Sequence, residues 1–432
     1  EYQFYIYYSI KNPGNIAGLS EEEQKQGMKA VDVDHLAELW ELGYLPIEIK
    51  GIAEGTLIPL RVPMMTIENT DKRFFWLTNY LETLLSNEVW LSVTSATTSR
   101  LYRKILNEYA LETTGTTAGV EFQGHDFSMR GMQSKESAAA SGAAHLFSFV
   151  GSDTIPAIMY LEKFYNANVR KEVVATSIDA SEHSVMCAHG NENEFDLFKE
   201  FITEKYPSGF VSVVSDTWDF WKVVTEYLPA LKEQIMNRDG RLVIRPDSGD
   251  PVKIIIGDPE GKTEAERKGL IECLWDIFEG TVNELGYKVL DPHIGAIYGD
   301  SITLERARLI SEGLKQKGFA STNIVYGIGS FTYSYKSRDN LAQAIKATYV
   351  DVEGEERLIQ KDPKTDDGTK KSLRGRVVVV ERDGKLQAID QLTRAEAEAY
   401  AHEDKLQVLF RDGKIHNFQT LAEVRARVAA TI

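Results

Sequence analysis

Between residues 170 and 330 the chain carries five short β-branched runs, VVATSI, VSVVSD, LVIRPDSG, IGAIYGDS and NIVYGIGS, most of them separated by stretches with helical periodicity. In one such stretch Leu270, Ile271, Leu274, Ile277, Phe278, Val282 and Leu285 recur at helix spacing. Strands that alternate with helices call for parallel βα units, and apolar strands of this kind are buried on both faces. The runs also end alike: VVATSI enters DASEHS, VSVV enters SDTWD, LVI enters RPDSG, AIY enters GDS and IVY enters GIGS. Polar, charged and glycine residues thus collect at the C-terminal ends of successive strands, the face that holds the active site in an α/β barrel. One polar loop would carry little weight. Five in succession point to a convergent site.

The flanks follow other patterns. VDHLAELWELG, residues 33–43, is read as an amphipathic helix ending at Gly43, and Ser20 with Glu23 as a capping box before it. LPIEIKGIAEGTLIP and VPMMTIENT alternate like strands, and Phe74 to Tyr109 is read as two helical segments around a small-residue linker. Near the other end VVVVERDGKLQAI and LQVLFRDGKIHNF each place Asp-Gly between apolar runs, the signature of a tight β-hairpin. A closing amphipathic helix runs through Leu421, Val424 and Val428, and 361–376 is a polar loop. The expected architecture is an irregular α/β barrel, residues 126–348, with a flanking antiparallel-sheet domain built from both chain ends, residues 1–125 and 349–432.

Composition narrows the partners. At 432 residues two or three domains are expected, and 43% hydrophobic with 26% charged residues is globular. A formal net charge of −16 without a dense Lys/Arg run excludes duplex nucleic acid and disfavours anionic membranes, while a few arginines in one pocket still suit a small anionic substrate. Cys187 and Cys273 lie in no CxxC or metal-like spacing, so they are read as reduced thiols in a cytoplasmic protein with no resident metal. No apolar run approaches the roughly 18 residues that a spanning helix needs. The chain starts at Glu1 rather than Met, and a natural leading segment is expected to precede it. GDPEGKT at 257–263 imitates a phosphate-binding P-loop but has one residue too few between its glycines, and Glu260 would face the phosphates; it is read as a surface turn.

The stretch 124–154 joins Asp126, Phe127 and Arg130 to a small-residue helix around Ser141–Gly142–Ala143–Ala144, and then delivers Asp153 after FSFV. HDFSMRG, that helix and GSDT are followed by SEHS, VSVVSDTWD, IRPDSGDP, GDS and a glycine-bearing turn before SRD. LPIEIKGIAEGTLIP, ENTD, WLTNYLET and TSATTSR stand upstream, KDP and FRDGK downstream. This ordered series, from about residue 45 to the C-terminus, resembles the nicotinamide phosphoribosyltransferase family.

The resemblance implies transfer of phosphoribosyl from phosphoribosyl pyrophosphate to nicotinamide in NAD salvage. It further implies a homodimer with shared sites, ATP as a coupling substrate and Mg²⁺ on the pyrophosphate. Phe127 matches the residue that stacks on the pyridine ring, a contact worth about 0.5–1.5 kcal/mol beyond burial. Arg130 and Arg245 match site arginines, which bind oxyanions bidentately. Asp153 matches the acceptor of the amide N–H. Nicotinate would set a second carboxylate beside it, and two like charges about 4 Å apart at an effective dielectric near 20 cost on the order of 4 kcal/mol, roughly a thousandfold. His183 matches the phosphorylated histidine and Asp216 its orienting partner. Asp247, Gly299 and Asp300 match positions near ribose hydroxyls and phosphate, and Ser212 a polar residue at the amide end. Arg338 and Lys346 match phosphate-binding bases, with Lys361, Lys370 and Lys371 in the polar loop nearby.

Two departures stand out. Gly329 and Ser330 replace consecutive glycines in the phosphate turn, with Phe331 narrowing the space. The family's N-terminal Asp and ring-stacking Tyr have no counterpart, since no motif surrounds Tyr5, Tyr7 or Tyr8. The alternatives are a nicotinate phosphoribosyltransferase and a weakened relative that binds the mononucleotide without turning it over.

Overall fold

The computed structural model describes residues 34–365 and 371–432, together with Glu22. The capping box of Ser20 and Glu23, the three N-terminal tyrosines and Lys370 lie outside the described residues. The chain divides into two units.

The larger unit comprises Ala53–Leu57, Leu84–Ala347 and Gln419–Ile432. Its centre is a seven-stranded, all-parallel sheet: β1 (Gly124–Asp126), β2 (Gly151–Ser152), β3 (Asp179–Ala180), β4 (Ser208–Val214), β5 (Asp239–Arg245), β6 (Ile294–Tyr298) and β7 (Ile324–Ile328). The order across the sheet is β2-β1-β7-β6-β5-β4-β3, so reading round it gives the chain order, as in a barrel opened between β2 and β3. A parallel bridge between Gly151 and Thr176 ties the chain leading into β3 back to β2.

All five β6 residues are buried, as expected of a strand covered on both faces. Around the sheet, the helix Leu270–Phe278 buries Leu270, Ile271, Cys273, Leu274 and Phe278 in the main core. The helix Lys135–His145 carries the small residues foreseen. Gly142 lies so close to Ala157 of the helix Ile155–Tyr165 that a β-carbon there would stand 2.9 Å from the alanine methyl.

Three expectations are corrected. VVATSI is no continuous strand: Arg425 donates to the carbonyls of Val173 and Val174 at 2.8 and 2.7 Å, and only Thr176 bridges to β2. The helical pattern from Leu270 stops at Phe278, where Glu279 turns to φ 58°; Val282 and Leu285 are exposed beyond it. The two segments around a small-residue linker form one helix, Leu77–Thr114. Thr94, Thr97 and Thr98 return their hydroxyls to the carbonyls four residues back, so these polar side chains are satisfied within the helix itself.

The smaller unit contains the described residues up to Ile52, then Ile58–Thr83 and Thr348–Phe418. Ile47–Gly51 pairs antiparallel with Met65–Asn69 on one side and Gln407–Arg411 on the other. Strands from both ends of the sequence thus share one sheet. Both Asp-Gly hairpins form: Asp383 and Gly384 turn at φ 51° and 72°, Asp412 and Gly413 at 46° and 79°. Among the described residues no helix is long and apolar enough to cross a membrane.

Candidate active site

Every parallel strand delivers candidate site residues at its C-terminal end: Asp126 and Phe127 from β1, Asp153 after β2, Ser181 and His183 after β3, Asp216 after β4, Arg245 and Asp247 from β5, Gly299 and Asp300 after β6, Gly329 and Ser330 after β7. Parallel pairing makes this one face of one sheet, so residues separated by two hundred positions become neighbours.

At the β1–β2 end, Asp153 Oδ1 accepts from His125 Nε2 at 2.9 Å and from the Ser177 hydroxyl at 2.5 Å. Burial raises the pKa of Asp153, but these hydrogen bonds and the charge of Arg245 outweigh it and hold the carboxyl below the usual range. Its side chain remains 47% exposed, so a ligand can reach it. The His125 ring lies 4.6 Å from that of Phe127. Gly327 on β7 makes room for Phe127, because a β-carbon there would stand 2.7 Å from the phenyl ring. An aromatic wall and a carboxylate acceptor therefore adjoin, suiting a flat ring that carries a hydrogen-bond donor.

At the β4–β6 end, His183 begins the short helix His183–His189 and places Nε2 3.2 Å from Asp216 Oδ1. The other Asp216 oxygen accepts the Asp247 N–H at 2.9 Å and the Ser248 hydroxyl at 2.6 Å. Burial pushes Asp216 up, yet hydrogen bonds from Ser248, Asp247 and His183 bring it below the usual carboxylate range. Asp247 behaves oppositely: burial raises it, Arg245 only partly offsets this, and the charges of Asp216 and Asp300 add to the rise. Asp247 Oδ1 and Arg245 Nε are buried without a hydrogen-bond partner. A β-carbon at Gly299 would fall 1.9 Å from Asp247 Oδ1, so glycine there lets the carboxylate keep this position. Tyr298 closes the floor by donating to the carbonyls of Ser248 and Gly249.

Other candidates take varied positions. Ser212 is buried on β4 with its hydroxyl unpartnered. Arg130 is exposed in the turn Met129–Gly131, which packs so closely on Ser330 that only glycine is possible at 131. Gly329 precedes the short helix Ser330–Ser334, and Phe331 lies flat on Tyr335 with centroids 4.8 Å apart. Arg338 pairs with its neighbour Asp339, and Lys346 donates to the Ile345 carbonyl; both are exposed beyond the sheet. Lys361 and Lys371 belong to the other unit, where Lys371 pairs with Asp362. GDPEGKT is indeed a turn between helices, with Thr263 capping the second.

Sequence reasoning passed over His125, Ser177 and Ser248. The signal for His125 was its place beside Asp126 and Phe127; Ser177 and Ser248 carry none that separates them from ordinary loop serines.

The family model described as the nicotinate phosphoribosyltransferase (NAPRTase) family matches residues 122–414. A protein from Acinetobacter baylyi named nicotinamide phosphoribosyltransferase is 47% identical over 410 residues, 93% of this chain and 80% of its own. One of the same name from Mycoplasma pneumoniae is 41% identical, covering 77% of this chain and 71% of its own. In fold, the chain is similar to nicotinate-nucleotide pyrophosphorylase from Pyrococcus furiosus, with a TM-score of 0.53 at 16% identity across 96% of this chain and 97% of that one. With seven parallel strands converging on one polar face and the family model spanning that whole sheet, the chain belongs to the nicotinate phosphoribosyltransferase family.

Proposed function

We propose that the chain is a phosphoribosyltransferase acting on nicotinamide, which it converts with phosphoribosyl pyrophosphate into nicotinamide mononucleotide and pyrophosphate for NAD synthesis. Asp153 carries this reading. An ionised, half-exposed carboxylate beside Phe127 accepts an amide N–H and repels a nicotinate carboxylate. The ring nitrogen attacks C1′ of the ribose, the C1′–O bond breaks, and pyrophosphate leaves with the bonding pair. Arg245, with Arg130, Arg338 and Lys346, supplies positive charge for the phosphates, while Asp247, Gly299 and Asp300 take the ribose end and Ser212 the amide end.

ATP couples through His183. Asp216 is held ionised and only accepts, so the shared proton sits on Nε2 and the Nδ1 lone pair is the nucleophile toward the γ-phosphorus, releasing ADP. Mg²⁺ enters as part of the pyrophosphate substrate, where it would offset charge on the leaving group. The unpartnered Asp247 Oδ1 and neighbouring Asp300 fit a hard dication, although among the described residues no cluster of three or more His, Cys, Asp or Glu side chains has a metal site's geometry. We also propose a cytoplasmic homodimer that shares its sites; Ile155 and Met159, exposed on the helix that follows Asp153, give a second copy an apolar face.

Pyrophosphate release tests the reading, measured with nicotinamide and with nicotinate, with and without ATP. We expect nicotinamide to be preferred and ATP to stimulate. A preference for nicotinate would assign the other base, and tight mononucleotide binding without turnover would make the chain a binding protein.

A further inference from the structure

We propose that His125 is the positioning residue that sets the choice between nicotinamide and nicotinate, by holding Asp153 through one oxygen and tuning the charge that nicotinate meets. The inference rests on the reading of Asp153 given above. His125 is buried on β1 between two things that matter to the base: Nε2 is 2.9 Å from Asp153 Oδ1, and its ring packs on Phe127 at 4.6 Å. On its far side Gly151 leaves room for the imidazole, because a β-carbon there would stand 2.8 Å from Nδ1. With Ser177 the imidazole occupies Oδ1 and leaves Oδ2 to the ligand, which fixes the direction from which a carboxamide is met.

The second consequence concerns charge. Burial raises the Asp153 carboxyl, and the hydrogen bond from His125 helps to bring it back below the usual range, so nicotinate meets a carboxylate there. Arg245 acts on the same carboxylate from β5. Base choice is thus set by a residue that need not touch the base.

The test compares kcat/KM for nicotinamide and for nicotinate in the wild type, His125→Phe and His125→Gln, with Tm recorded for each. Phe keeps the ring on Phe127 but removes the donor, and should lower the nicotinamide-to-nicotinate ratio by about tenfold. Gln, which still presents an N–H to Asp153, should keep most of the ratio. If the wild type prefers nicotinamide and the Phe variant, folded, retains the full ratio, the inference fails while the assignment of Asp153 stands; a folded Gln variant that loses the ratio as fully as the Phe variant also overturns it. A wild type that prefers nicotinate overturns the reading beneath it.

Discussion

His183 Nε2 stands 3.2 Å from Asp216 Oδ1, and the second Asp216 oxygen is occupied by the Asp247 N–H and the Ser248 hydroxyl. The carboxylate cannot turn away from the histidine without giving up bonds to the β5 loop. β4 and β5 pair in parallel up to Val214 and Arg245, so the strand register sets the position of this carboxylate before any ligand arrives. Orientation of the imidazole is therefore a property of the sheet.

Under the proposed coupling through His183, His183→Ala should abolish ATP stimulation and phosphate transfer from ATP to protein while leaving basal phosphoribosyl transfer. Asp216→Asn offers a donor where an acceptor is needed and favours the wrong tautomer, so labelling from γ-labelled ATP should fall on the order of a hundredfold or more. Full labelling of the Asn variant would remove Asp216 from the orienting role.

Asp153→Asn should bring the specificity constants for nicotinamide and nicotinate together. The Coulomb cost of two apposed carboxylates sets an upper value, but with this side chain 47% exposed, water screens the pair and the ratio should fall by roughly tenfold to a hundredfold. The two constants measured at pH 8 decide it. An unchanged ratio would separate Asp153 from base selection.

The polar strand ends were legible because apolar runs of parallel strands stand out, and VSVV, LVI, AIY and IVY mark β4 to β7 directly. β1 and β2 were hidden. Gly124–Asp126 and Gly151–Ser152 are short, polar and held by pairing with β7 and with each other, so no local pattern reveals them. VVATSI misled for the reverse reason: its β propensity is real, but Arg425, about 250 residues away, claims its carbonyls. Asp153 and His183 were visible from their motifs, whereas the bond from His125 to Asp153 joins two strands whose pairing the sequence does not display.

Asp247 should trade stability for function. Its pKa rises on folding through burial, so the ionised form is penalised in the native state. Near pH 4, around the unfolded value, the penalty is small; it grows as the pH rises from there to the folded value and is complete above it. Asp247→Asn should thus raise Tm at pH 7.5 by about 2 °C, a gain that shrinks toward pH 4. In the same variant kcat/KM for phosphoribosyl pyrophosphate should drop by about tenfold to a hundredfold. A lower Tm at neutral pH would show that the carboxylate is stabilising after all.

The last relationship concerns closure of the sheet. Arg425, on the helix Leu421–Ala429, donates from Nε to the Leu146 carbonyl at 2.8 Å, from Nη1 to Val173 at 2.8 Å and from Nη2 to Val174 at 2.7 Å. One planar guanidinium satisfies three carbonyls that no strand pairs, and it fastens the segment entering β3 near the gap between β2 and β3. Lysine has the charge but not the fork. Arg425→Lys should leave some of these carbonyls unmet, cost about 1–2 kcal/mol and lower Tm by roughly 2 °C. Because Ser177 lies on the fastened segment and bonds to Asp153, KM for nicotinamide should also rise, while ATP-dependent labelling of His183 changes little. Thermal unfolding with base titration tests both, and an unaltered Tm would mean that the Thr176 bridge alone holds the sheet edges together.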